Sequence, residues 1–99
     1  QPTRIEFLMA LHLLHNPLRF MPLVATFKEG DAIILFDQAL QQWADLDAHA
    51  VRLISESVYA LSAECEQTMQ KSPLIGVKKI SFDDWVELAI EHPQQVNWV

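Results

Sequence analysis

The sequence predicts a small α/β domain with three layers, α/β/α, around a mainly parallel sheet of about five short strands. Three observations carry this. Short apolar runs alternate with helical stretches along the whole chain. One of them, "DAIILFD" at 31–37, is apolar throughout between two aspartates, the pattern of a strand covered on both faces. The connections between runs are long enough for right-handed helical crossovers.

The elements follow in order. "LHLL" at 11–14 is a short strand, closed by the Asn16-Pro17 turn. "RFMPLVATFKEGD" at 19–31 reads as a helix, with Pro22 in its first turn and Leu23, Val24 and Phe27 on one face. Gly30 is placed to end it in the left-handed conformation. The strand at 31–37 leads into 38–57, rich in Ala, Leu and Gln and free of Gly and Pro. That stretch reads as a helix with a candidate break near Asp45–Asp47. "VYAL" at 58–61 is a third strand. Ser62 opens the helix "SAECEQTMQK", which "SPLIG" at 72–76 interrupts. "VKKI" at 77–80 is a fourth strand. Ser81 with Asp84 forms a capping-box pair for the helix at 81–92, whose apolar residues are Phe82, Trp85, Val86, Leu88, Ala89 and Ile90. Pro93 stops it, and "VNWV" at 96–99 closes the chain as an edge strand.

Composition narrows the function classes. The 99 residues suit one domain, 9–99. Residues 1–8, ahead of Met9, are read as a vector-derived or upstream extension. Net charge is -6, and the seven Lys and Arg residues are scattered, so no basic stripe exists to hold nucleic acid. No apolar run approaches the ~20 residues of a membrane span. Only two glycines occur, which excludes a glycine-rich phosphate loop. A single cysteine leaves no internal disulfide, and the cytoplasm is the expected compartment. No cofactor is expected.

The residues able to do chemistry are few. Cys65 lies one turn into the helix after "VYAL", where the helix dipole favours a thiolate. Glu64 and Glu66 flank it and oppose one, so an inert thiol is the favoured reading and a persulfide carrier the alternative. His12, His15, His49 and His92 lack metal-site spacing. Asp37, at the carboxyl end of a strand, has the position of a phosphoacceptor, but the first strand ends in His15-Asn16 and supplies no second acid. Trp85 is expected in the core. Trp43 and Trp98 are candidates for a partner interface.

Several stretches together resemble the TusB/DsrH family. They are "LHLLHNP" at 11–17, "EGDAIILFDQAL" at 29–40, "VYAL" at 58–61, "DDWVELAIEHP" at 83–93 and the ending "HPQQVNWV" at 92–99. The resemblance spans residues 11–99 and implies the same three-layer fold. It implies a B-type (or H-type) subunit of a cytoplasmic sulfur-relay complex. In the Tus type, B, C and D subunits, two copies of each, form a heterohexamer that passes persulfide sulfur toward 2-thiolation of the tRNA wobble uridine. The Dsr type, serving sulfur oxidation, is the alternative pathway. The expected partners are therefore TusC-like and TusD-like subunits, and the D subunit carries the cysteine. Some DsrH-type members have a cysteine in the first helix; the matching place here is near Leu23. Cys65 falls where relatives have an ordinary apolar residue.

Overall fold

The computed structural model describes residues 9–46, 48–67 and 76–99. Five strands, β1 (Ala10–Leu14), β2 (Ala32–Leu35), β3 (Val58–Leu61), β4 (Val77–Ile80) and β5 (Gln94–Trp98), form one sheet in the order β4-β3-β2-β1-β5. Every pairing is parallel. The helices are α1 (Phe20–Thr26), α2 (Asp37–Gln41), α3 (Ala48–Ile54), α4 (Ser62–Gln67) and α5 (Phe82–Glu91). Expectation and structure agree on an α/β domain with about five short strands, and on β5 as an edge.

The apolar run of β2 does what its composition requires. Ile33 and Leu35 enter one core with Leu14, Phe20, Leu23, Leu40, Trp43 and Ile54. Ala32, Ile34 and Phe36 enter a second core with Leu11, Leu13 and Ile80. The first core is roofed by α1, α2 and α3, and Cys65 of α4 packs at its margin. The second is roofed by Trp85, Leu88 and Ala89 of α5. The topology explains the split. The chain steps in one direction from β1 to β4 and then returns past β1 to place β5, and a right-handed return crossover lies on the opposite face.

Expectation and structure differ in three details. The helix expected over 19–31 ends at Thr26, after a separate 3-10 turn at Pro17–Arg19 whose Leu18 N–H is capped by Asn16 Oδ1 at 3.0 Å. Phe27 turns extended so that its ring reaches His12, with centroids 5.9 Å apart. Gly30 serves a different turn from the one expected. At φ +93° it allows the Asp31 N–H to meet Lys28 O at 3.0 Å, just ahead of β2.

The stretch at 38–57 carries the break expected near Asp45–Asp47 and is divided further than expected. It divides into α2, a 3-10 turn at Trp43–Asp45, α3 and a 3-10 turn at Ser55–Ser57. A straight helix of that length would run about 30 Å, more than twice the ~13 Å of a four-residue strand it must cross back over. The break allows Trp43 and Ile54 both to face the first core. The third difference is small: β1 and β5 begin one and two residues earlier than expected. Ser81 and Asp84 do form the capping box, with reciprocal bonds of 3.1 and 3.2 Å. The interruption expected at 72–76 falls largely on residues outside those described.

A buried polar chain fastens the sheet at its amino end. Asp31 is fully buried, and its carboxylate accepts four hydrogen bonds. Oδ1 takes the Ala10 N–H and Lys28 Nζ, each at 3.0 Å. Oδ2 takes the Lys28 N–H at 3.2 Å and His12 Nε2 at 2.9 Å. Trp98 Nε1 donates to His12 Nδ1 at 3.0 Å. An indole N–H can only donate, so His12 carries its proton on Nε2 and gives it to Asp31. Burial by itself pushes the Asp31 pKa up. The bonds from Ala10, His12 and Lys28 together outweigh it and hold the carboxyl below its ordinary range.

A depressed folded-state pKa fixes the sign of the pH dependence. The contribution of Asp31 is present above the unfolded carboxylate value of about 3.9 and is lost as pH falls through the lower folded value. Asp31→Asn is expected to cost about 3 kcal/mol at pH 7, because it removes a buried charge from four donors on Ala10, His12 and Lys28. Urea melts of both proteins at pH 7 and pH 3 should show the gap closing in acid. A gap independent of pH would contradict this account.

Candidate functional site

Ligands of open parallel sheets bind beyond the carboxyl ends of the strands, where the strand order reverses. Here that point lies between β1 and β5. The ends of β1, β2 and β5 are drawn together there. Trp98 O accepts the N–H of His15 at 3.1 Å and of Asn16 at 3.2 Å, and Phe36 N–H reaches Leu14 O at 2.9 Å. Beside these ends is an open cleft of about 710 Å³ lined by His15, Asn16, Leu18, Asp37, Gln42 and Val99, among others.

Among the described residues its ionisable pair is His15 with Asp37, Nδ1 to Oδ2 at 3.1 Å. His15 directly follows β1, and its ring stacks on Phe36 at 4.9 Å, nearly parallel. Asp37 directly opens α2 with φ +51°, the only non-glycine residue of positive φ among those described. The left-handed conformation turns the chain sharply out of β2 and costs a β-carbon residue about 1 kcal/mol. An ionised Asp37 accepts the Nδ1 proton, which leaves His15 Nε2 as the basic nitrogen. The side chains are 30% and 67% exposed, so solvent and ligands reach the pair. The cleft can accept a hydrogen bond or a proton. Among the described residues that line it there is no Ser, Thr, Cys or Lys to act as a nucleophile.

The sequence reading did not pair these two residues. They lie 22 positions apart, and only the parallel register, Leu14 beside Leu35, makes them neighbours. The available signal was that each follows the end of an apolar strand. Asp37, considered as a phosphoacceptor, is the only acidic side chain among the described residues that line the cleft.

The remaining named residues lie elsewhere. His12 is sealed against Asp31 and Trp98. His92 is buried, with its ring nitrogens 2.7 Å from Leu88 O and 3.0 Å from Gly30 O, and joins the end of α5 to the turn before β2. His49 is exposed on α3. Among the described residues no three His, Cys, Asp or Glu side chains cluster as metal ligands. Trp43 must be corrected as an interface candidate: it is 3% exposed and meets Phe20 edge-on at 5.5 Å, because the break after α2 turns it inward. Trp98 is half-buried with its N–H spent on His12.

Cys65 does not line the cleft. It is half-buried on α4, and burial pushes its thiol pKa up; Lys79 opposes this, while Glu64 and Glu66 add to it.

Among the described residues the exposed large apolar side chains are instead Phe82, Val86 and Ile90 of α5, Leu18 and Val99 beside the cleft, and Met21 and Leu53 elsewhere. The sequence reading took Phe82, Val86 and Ile90 together with Trp85, Leu88 and Ala89 as the apolar residues of this helix, without separating the two groups. No protein-family model matches the chain, and no curated protein matches it.

Two outcomes test this geometry. Asp37→Gly should raise stability by about 0.5–1 kcal/mol, read as a higher urea midpoint, because glycine adopts positive φ without a β-carbon penalty. A loss of stability would mean that the carboxylate, rather than function, holds Asp37 in place. Alkylation of Cys65 by iodoacetamide should show a midpoint in its pH–rate profile above the ~8.5 of a free thiol. A midpoint below about 8 would reverse the electrostatic reading.

Proposed function

We propose that this chain is a non-catalytic subunit of a Tus-type sulfur-relay complex, in which a partner subunit presents the persulfide cysteine. The complex would pass sulfur toward 2-thiolation of the tRNA wobble uridine. The partners would be TusC-like and TusD-like subunits, and the compartment the cytoplasm.

The observation that carries the reading is the outward apolar stripe of α5, Phe82, Val86 and Ile90, on a helix whose other apolar residues already fill the second core. Such a patch on a chain this small fits a subunit that lacks its neighbour. Three further features agree. The fold class is the one the resemblance implies. The thiol of Cys65 is half-buried with a raised pKa, unlike a carrier cysteine. Leu23, at the place where some DsrH-type members carry a cysteine, is fully buried in the first core. Among its described residues the His15–Asp37 cleft offers a base without a nucleophile, which suits support of chemistry done on a neighbouring chain.

The test is co-expression of the tagged full chain with C-type and D-type subunits from the same cell. Co-elution is expected, with persulfide mass on a partner under non-reducing conditions. Cys65→Ser should leave sulfur transfer at the wild-type rate. Persulfide on Cys65, or a stable monomer that ignores both partners, would defeat the proposal.

A further inference from the structure

α5 is apolar over too wide an arc for the sheet alone to cover. A helix turns about 100° per residue. Trp85, Leu88 and Ala89 meet the second core, and the adjoining stripe of Phe82, Val86 and Ile90 is 65%, 45% and 76% exposed. With Trp85, Ala89 and Gln95 of β5, that stripe lines a groove of about 340 Å³. The next stripe around the helix is Asp83, Glu87 and Glu91, all exposed. No Lys or Arg occurs on α5. The groove thus has an apolar floor with the polar edge strand on one side, and the carboxylates lie one stripe further round the helix, beyond its outer rim, where Glu87 and Glu91 also border a separate cleft with Tyr59 and Ile80.

Those carboxylates select the occupant. A second copy laid antiparallel along the stripe would set the same three acids against each other, which is repulsive. An anionic membrane surface meets the same repulsion. A helix with an apolar stripe bordered by Lys or Arg satisfies both the floor and the acidic stripe beyond the rim. We infer that the groove between α5 and β5 receives an amphipathic, basic-bordered helix of a partner subunit, its apolar residues on Phe82, Val86 and Ile90 and its cations facing Asp83, Glu87 and Glu91. The inference rests on the subunit reading above.

The experiment compares the full chain with three variants in co-purification with C-type and D-type subunits: Val86→Asp, the double change Glu87→Lys with Glu91→Lys, and Asp45→Lys as a distant control. All four positions are exposed, and circular dichroism checks that each variant folds. Affinity should fall about tenfold or more for the first two and stay unchanged for the control. Wild-type assembly with all variants assembling equally would overturn the groove and leave the subunit reading standing. If the wild-type chain ignores both partners, the subunit reading falls, and the groove is decided by a second measurement. The wild-type chain is mixed with a full chain carrying Asp83→Lys, Glu87→Lys and Glu91→Lys, whose own α5 is then a basic-bordered amphipathic helix. A mixed pair in native mass spectrometry, favoured about tenfold over either self-pair, supports the groove as a receptor for such helices. Equal pairing, no pairing, or a wild-type dimer would overturn it.

Discussion

The buried carboxylate of Asp31 is the constraint on which the amino end of the sheet depends. It is desolvated, and only a full set of donors makes that tolerable. The donors come from three places: the start of β1 through Ala10 and His12, the turn through Lys28, and, one bond further on, the end of the chain through Trp98. An edge strand with mostly exposed side chains, as in β5, buries little apolar surface of its own. Its attachment to β1 therefore draws on the ladder and on the Trp98–His12 bond. Among the described residues no buried side-chain nitrogen or oxygen lacks a partner, so the polar interior is satisfied.

The opposite end of the sheet is arranged differently. At the amino end the polar groups are sealed; at the carboxyl end His15 and Asp37 are paired but open to solvent. The same register produces both. β1 runs between β2 and β5, so a histidine within the strand is enclosed by its neighbours and one just past the strand is not. The left-handed backbone of Asp37 belongs to this second end, where a sharp exit from β2 turns a carboxylate toward the end of β1.

Strand order also decides how well each face is covered. Three crossovers step along the sheet on one side, and a single return crossover supplies α5 to the other. One helix must roof the second core, and it is apolar across both its inner face and the adjoining stripe. That surplus, bordered by Asp83, Glu87 and Glu91, is the feature from which a partner and its charge are argued.

Much of this was legible in the sequence. The unbroken apolar run of β2 required cover on two faces, and both cores contain its side chains. The Ser81–Asp84 pair signalled its helix start because a capping box is a local device with fixed spacing. Glu64 and Glu66 beside Cys65 gave the direction of two of the charge effects on that thiol, since sequence neighbours are spatial neighbours; burial, the largest effect, and Lys79 were not legible. What the sequence determined by itself was therefore local: element order, periodicity, caps and nearest-neighbour charge. The tertiary structure alone decided the rest. It joined Asp31 to His12 and Asp37 to His15 across about twenty residues, turned Trp43 inward, and left half of α5's apolar arc uncovered. Contacts between distant residues depend on strand order and register. Those are set by how all the elements pack together, and no single stretch of sequence contains them.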